Sequence, residues 1–240
     1  ESRRAGAFAF FSAGANIGLF LAFLIGGFVA AAYGWRAAFL IAGLPGVAFA
    51  VLISLKLREP PAPLVKTEDP NFLSVWRDII AHTSTRFVLL GAVLTAIVNY
   101  GAITWVATFL IRRHELGVEQ AGLYLAVVVG LLGGAATFAG GVVADRLATR
   151  HPARRMQLVM LIIVVAKILA VVAYIQPAAI ATLTLLVFPA MTGGIYLGPT
   201  FAHVYSRIHQ AARPRATAII LFLLNLIGLG LGPILVGAIS

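Results

Sequence analysis

Long apolar stretches separated by short polar segments dominate the pattern of hydrophobic and polar residues along the chain. A helix that crosses a bilayer needs about 20 mainly apolar residues, and seven stretches reach that length. We number them spans one to seven, and they cover residues 6–32, 36–57, 86–111, 119–144, 156–176, 178–204 and 216–239. Only Gln176 and Pro177 mark the turn between spans five and six. The pattern predicts an all-α polytopic membrane protein with about seven transmembrane helices.

The composition excludes a soluble domain and favours a lipid environment. Hydrophobic residues make up 61% of the chain and charged residues 11%, whereas soluble domains have about 45–50% apolar and about 25% charged residues. The net charge of +10 would suit a nucleic acid, but the basic residues lie in short loops between apolar spans, which is typical of membrane topology. We therefore expect the lipid bilayer as a partner and no nucleic acid. The chain has no cysteine, so no disulfide framework is predicted.

The positions of the basic residues orient the spans. If the start of span one is cytoplasmic, fourteen of the 18 Lys and Arg residues lie on the cytoplasmic side, as the positive-inside rule requires. The one long connection, residues 58–85, is then cytoplasmic. It contains Phe72, Val75, Trp76, Ile79 and Ile80 at helical spacing, which predicts an amphipathic helix at the membrane surface.

An internal repeat indicates two related bundles. Arg4, Ala7 and Asn16 at the start of span one recur as the same residue types 209 positions later, at the start of span seven. These spans are six apart, which is the spacing expected for two parallel six-helix halves.

The segment after span four carries a recognisable motif. Gly141, Asp145, Arg146 and Arg150 form the pattern G-x-x-x-D-R-x-x-x-R, which resembles the loop motif of the major facilitator superfamily of secondary transporters. The stretch YGWRAAF at residues 33–39 is similar to that family's turn between its fifth and sixth helices. Within the family, WVATFLIRRHELG, GGVVADRL and RPRATAIILFLLNLIGLGLGPILVG resemble the spinster-like branch.

The resemblance implies the domain organisation. Spans one to seven would be helices five to eleven of twelve, and we interpret the chain as an internal fragment because it starts at Glu1 and an apolar span runs to Ser240. Residues 1–57 would be the end of an N-terminal six-helix bundle. Residues 58–85 would be a cytoplasmic linker with the amphipathic surface helix, and residues 86–240 a C-terminal bundle of five spans without its last helix.

Polar and aromatic side chains inside the spans are candidates for lining a substrate cavity. They are Asn99, Tyr100, Trp105, Thr192, Tyr196 and Asn225. The alternative is hydrogen bonding between helices, worth about 0.6 kcal/mol on average in membranes. For Asn99, Trp105 and Asn225 both interpretations stay open, and we predict that these three face a common cavity.

The loop motif suggests a cytoplasmic gate. In the family, the stronger copy of this motif docks its acid against the inner start of the eleventh helix. By the symmetry of the two halves, Asp145, with Arg146 and Arg150 beside it, would dock against the inner start of span one at Arg3 and Arg4. The alternative is that Asp145 pairs only with nearby arginines or lipid head groups.

Lys167 is the one ionisable residue deep in a span, and it is either functional or snorkels along lipid to the surface. All eight acids lie in loops or at span ends, so the source of energy, a proton or another ion, is not readable. The histidines show no metal-ligand spacing, and no Walker, dinucleotide or nucleophile motif is present. We therefore expect no catalytic residues, no metal, no cofactor and no enzyme activity.

The sequence thus predicts a secondary active transporter that works by alternating access, in an integral multi-pass protein of a bacterial inner (plasma) membrane. The resemblance implies a small-molecule or lipid-like substrate, either a lipid-like amphiphile or an organic anion. An organic-anion or sugar-acid transporter of the same superfamily is the first alternative. A seven-helix receptor or retinal protein is a distant one, suggested by the span count and Lys167.

Overall fold

All regular elements are helices in residues 2–57, 71–136 and 152–239, which the computed structural model describes. We number the α-helices in chain order. They are Ser2–Tyr33 (α1), Trp35–Lys56 (α2), Phe72–Ala81 (α3), Thr83–His114 (α4), Val118–Leu125 (α5), Pro152–Tyr174 (α6), Ala179–Met191 (α7), Leu197–Tyr205 (α8), Arg213–Leu223 (α9) and Gly230–Ile239 (α10). A short 3-10 helix, Gln210–Ala212, precedes α9. The turn between α1 and α2 places Gly34 at φ 82°, a conformation that favours glycine because a side chain would clash there.

The described helices match the predicted spans in position. Five segments are long and apolar enough to cross a membrane, namely Trp35–Lys56, Thr83–His114, Val118–Ala136, Gln157–Tyr174 and Gln210–Ile239. Two shorter apolar helices, Ile17–Tyr33 and Ala179–Met191, correspond to spans one and six. The predicted all-α polytopic membrane fold is therefore confirmed.

The narrow turn between spans five and six is also confirmed. Helix α6 ends at Tyr174 and α7 begins at Ala179. The hydroxyl of Thr182 is fully buried and donates a hydrogen bond to the Ala173 carbonyl, 3.2 Å away. This bond gives the buried hydroxyl the partner that it needs. It also joins the start of α7 to the end of α6.

Span six is interrupted, whereas the apolar pattern predicts one continuous crossing over residues 178–204. Helix α7 ends at Met191, and a turn over residues 192–196 separates it from α8. Pro189 lies in the last turn of α7 and has no N–H to continue the helical hydrogen bonds. At the end of α7 the Thr192 N–H and hydroxyl both donate to the Pro189 carbonyl, at 3.2 and 2.9 Å. Two glycines, Gly193 and Gly194, then follow, and they hold a helix weakly.

In residues 71–136 and 152–239, two membrane-spanning helices contain a π-helical segment. Ala126–Leu132 (π1) follows α5, and Leu224–Leu229 (π2) joins α9 to α10. A glycine stands at the fifth position of each segment, Gly130 in π1 and Gly228 in π2. Both glycines lie where another helix approaches closely. Short π-helical turns inside α-helices are rare and often accompany functional sites.

The chain forms two compact units. The described part of unit 1 comprises residues 2–57, 107–136 and 162–192, and that of unit 2 comprises residues 71–106, 152–161 and 193–239. These units group segments from both predicted bundles, and the predicted boundaries between residues 1–57, 58–85 and 86–240 stay a prediction.

In unit 1, α1 packs along α5 and π1. A β-carbon added at Gly27 would lie 3.0 Å from the Gly122 Cα, and one added at Gly130 would lie 2.5 Å from the Phe20 Cα. Glycine at these positions lets the two backbones approach, which is how small residues drive helix association in membranes.

Candidate substrate site

The candidate site of unit 2 is built on a close contact between α4 and the helix formed by π2 and α10. A β-carbon at Gly101 would lie 2.9 Å from the Gly232 carbonyl oxygen, and one at Gly232 would collide with the Ile97 carbonyl oxygen. Further along, a β-carbon at Gly228 would lie 2.7 Å from the Ala96 Cβ. We call these residues, Ala96, Ile97, Gly101, Gly228 and Gly232, the glycine seam. The two backbones touch at Gly101 and Gly232, and at Gly228 the Ala96 methyl and the Tyr100 ring lie against the glycine, so the two helices pack closely.

A tyrosine–asparagine pair lies beside the glycine seam. The Tyr100 hydroxyl donates a hydrogen bond of 3.1 Å to the Asn225 Oδ1 atom. The Asn225 amide nitrogen in turn donates to the Leu221 carbonyl, 2.8 Å away on its own helix. The amide is therefore held in one orientation, and Asn225 lies at the second position of π2, with its side chain exposed.

Two further side chains of α4 reach backbone carbonyls of other segments. The Asn99 amide nitrogen donates to the Gly193 carbonyl at 2.9 Å, and the Trp105 indole nitrogen donates to the Pro233 carbonyl at 2.9 Å. Both side chains are half-buried. Gly193 lies at the break of span six, where carbonyls lack helical partners. Asn99 therefore donates a hydrogen bond to a carbonyl that lacks a helical partner where span six is interrupted.

Tyr196 completes the aromatic side of the site. It is buried, with 8% of its surface exposed. Thr192 belongs to unit 1 and bonds within its own turn. Five of the six predicted cavity residues thus belong to unit 2: Asn99, Tyr100, Trp105, Tyr196 and Asn225. Their predicted role in a substrate cavity stays a prediction.

The sequence reasoning missed the backbone acceptors of the site. Gly193 and Pro233 accept hydrogen bonds through their carbonyls, and a carbonyl carries no mark in a sequence. The available signals are the doublet Gly193–Gly194 and the Gly232–Pro233 pair, since glycine and proline weaken or end helices inside apolar stretches.

A comparison with protein families gives a match over nearly the whole chain. The family model described as Major Facilitator Superfamily matches residues 1–233. The chain belongs to the Major Facilitator Superfamily. This confirms the resemblance of the loop motif and the flanking helices, and it removes the basis for a seven-helix receptor or retinal protein. The superfamily relatives of the chain are transporters and not enzymes, as predicted.

Individual superfamily members agree with the spinster-like assignment. The crystal structure of a bacterial homologue of the human lysosomal transporter Spinster, inward-facing and unoccupied, is 26% identical with a TM-score of 0.77 and covers 97% of this chain and 55% of its own. The same homologue in an inward-facing, occupied conformation gives 24% identity, a TM-score of 0.70 and coverage of 97% and 54%, which supports the fold.

A curated superfamily relative agrees as well. An MFS-type efflux pump of Mycolicibacterium smegmatis is 27% identical over 219 residues, which are 90% of this chain and 50% of the pump. The chain therefore spans about half the length of the relatives that it matches.

The superfamily's loop motif cannot be placed, because Asp145, Arg146 and Arg150 lie outside the described residues. Arg3 and Arg4 belong to α1, but the description of α1 does not include their side chains. The predicted gate therefore stays a prediction.

Lys167 lies on α6, in the described part of unit 1, with a side chain that is neither fully buried nor exposed. It interacts with other groups of the protein. A partly covered amine fits both a functional role and snorkelling along the protein surface, so both interpretations of Lys167 remain.

Proposed function

We propose that the full-length protein is a secondary active transporter that works by alternating access in a bacterial inner membrane. The observation that carries the proposal is the fold match over 97% of the chain, at a TM-score of 0.77, to an inward-facing Spinster homologue. Alternating access requires rigid groups of helices that move against each other, and the glycine seam between α4 and α10 is suited to form one such group.

The contact within unit 1 supports the same mechanism. Helix α1 comes from the predicted first bundle, whereas α5 comes from the predicted second one, and the two pack closely at Gly27 and Gly122. Both glycines lie near the predicted outer ends of their helices. A transporter of this kind would open to the outside by separating the two helices at this point, because the packed backbones leave no path between them.

The substrate that suits the site is a lipid-like amphiphile or an organic anion with an apolar part. Tyr100, Trp105 and Tyr196 offer aromatic surface, while the amides of Asn99 and Asn225 offer donors and acceptors. Aromatic walls with a few placed polar groups are typical of sites for amphiphilic molecules. No Asp or Glu lies among the described residues of α4, π2 and α10, so nothing acidic in these elements would repel an anion.

Uptake into vesicles tests this proposal. Full-length protein reconstituted into vesicles is expected to move a radiolabelled lysophospholipid down an imposed ion gradient, and Asn225→Leu should reduce the rate about tenfold or more, because removing one hydrogen bond to a charged group costs about 1.5–3 kcal/mol. Gln176→Leu is the matched control, since that amide lies in the turn after α6 and donates back to the Val172 carbonyl. Transport of a sugar acid in place of the lysophospholipid would favour the organic-anion alternative, and transport of neither would contradict the proposal.

Labelling tests the predicted cavity directly. Because the chain has no cysteine, a single cysteine at residue 99, 105 or 225 gives an unambiguous reaction with a small water-soluble thiol reagent. We expect all three positions to react in the full-length protein and a saturating substrate to slow the reaction. Leu94, an exposed apolar residue of α4, serves as the lipid-facing control after substitution by cysteine. Three positions as unreactive as residue 94 would refute the cavity.

A further inference from the structure

Within the described part of the chain, the short helix α3 has a wider apolar surface than its neighbours cover. Val75 and Ile79 are each only 1% exposed, whereas Phe72 is 54% and Leu73 is 66% exposed. Successive residues of an α-helix are separated by about 100°. Phe72, Leu73, Trp76 and Ile80 therefore extend the apolar surface on one side of the Val75–Ile79 stripe. We call these four residues the open face of α3.

The position of α3 brings its open face to the edge of the membrane. Helix α3 ends at Ala81, and the membrane-spanning helix α4 begins at Thr83, so a single residue separates them. Helix α3 also packs against α9, the start of another span. The Arg86 guanidinium Nε donates to the Ile80 carbonyl at 2.5 Å, which fixes the C-terminal end of α3 to α4. The helix is thus attached to unit 2 at the level where spans leave the bilayer.

The same end of unit 2 is strongly basic. Asp78 is the only acid among the described residues of this unit. Four exposed arginines are Arg77, Arg86, Arg207 and Arg213.

Two of these arginines bind aromatic or imidazole groups. The Arg213 guanidinium lies over the Tyr205 ring, 5.7 Å from its centre, and Arg207 contacts the His203 ring at 3.1 Å. Guanidinium groups held in this way keep donors for phosphate oxygens.

We propose that the open face of α3 and the adjacent arginines form a binding site for anionic phospholipids of the inner leaflet. The open face enters the boundary between head groups and acyl chains, where tryptophan is favoured. The arginines bind the lipid phosphates, because the inner leaflet is negatively charged and attracts basic residues beside a span. Charge complementarity and the single-residue link to α4 favour lipid over a protein partner on this surface.

Spin labels measure the depth of the open face. Leu73→Cys and Ser74→Cys are made separately in the full-length protein, which is then reconstituted with phosphatidylcholine and increasing phosphatidylglycerol. In the anionic vesicles, the label at residue 73 should be reached by oxygen and shielded from a water-soluble nickel complex. The label at residue 74, whose parent hydroxyl bonds to the Asn71 carbonyl on the polar side of α3, should stay accessible to the nickel complex and is the matched control.

Charge variants test the arginines. One arginine near an anionic surface contributes roughly a fivefold preference for that surface. The double variant Arg77→Gln with Arg213→Gln should therefore need several-fold more phosphatidylglycerol before the label at residue 73 reaches half of its full depth. Arg77→Lys with Arg213→Lys should restore it. Arg112→Gln with Arg113→Gln, exposed at the other end of α4, should change nothing.

Three outcomes would overturn the site. They are equal access of the nickel complex to both labels, shielding of residue 73 from both reagents by protein, and a depth that is the same with and without phosphatidylglycerol.

Discussion

Replacing Gly232 by valine is expected to lower the midpoint of thermal unfolding of the full-length protein by about 5 °C or more and to abolish uptake. A β-carbon at Gly232 would collide with the Ile97 carbonyl and lie 2.9 Å from the Gly101 nitrogen. Both are backbone atoms, so the helices α4 and α10 would have to separate. Overpacking of this kind typically costs about 1–3 kcal/mol, and small shifts in side chains cannot relieve it here.

The matched control for this prediction is Gly230→Val on the same helix. A β-carbon at Gly230 meets nothing within 4 Å, so the variant changes helix propensity and bulk in the same way without touching α4. Unfolding followed by tryptophan fluorescence in detergent measures both variants. Equal midpoints for the two would show that the glycine seam does not limit stability.

Two substitutions of Trp105 are expected to lower the free energy of unfolding by different amounts. Trp105→Phe keeps most of the ring but removes the 2.9 Å hydrogen bond to the Pro233 carbonyl, which should cost about 1 kcal/mol of unfolding free energy. Trp105→Ala also removes the ring, against which Gly237 packs so closely that a β-carbon there would lie 2.7 Å away. Truncating a packed tryptophan costs about 3 kcal/mol or more.

Trp35 provides the comparison for Trp105. It is 60% exposed, at the start of α2, and lies under the Arg36 guanidinium at 4.5 Å. Trp35→Ala should therefore cost less than about 1 kcal/mol. Denaturant unfolding of the unsubstituted protein and the three tryptophan variants gives the free energies of unfolding. A Trp105→Ala variant as stable as Trp35→Ala would contradict the role of the indole in holding α4 to α10.

The spans could be predicted because hydrophobicity is a local property that a bilayer reads directly. Even the narrow turn at Gln176 and Pro177 was located, since a proline after a polar residue ends a helix between two apolar runs. The break after Met191 was not, because Thr192, Gly193 and Gly194 are apolar enough to pass as part of a crossing.

Only part of the candidate site could be predicted from the sequence. Asn99, Trp105 and Asn225 stand out in a sequence because polar groups inside a membrane need partners. Their partners do not stand out, since Tyr100 and Asn225 are 125 residues apart, and the other acceptors are backbone carbonyls. Pairing across such a distance depends on how helices pack, which local hydrophobicity does not encode.

The π-helical segment π2 sets the phase between the two ends of its helix. An α-helix turns about 100° with each residue, and a π-helical turn takes up one residue more than an α-helical turn. Deleting one residue within Leu224–Leu229 would return this stretch to α-helical winding and leave Gly232 and Gly237 facing α4, because the π-helical turn is what absorbs the extra residue. A deletion of one residue elsewhere in the helix would instead turn the two glycines about 100° away from α4, so in aligned relatives a one-residue gap should fall within π2 before it falls on either side of it.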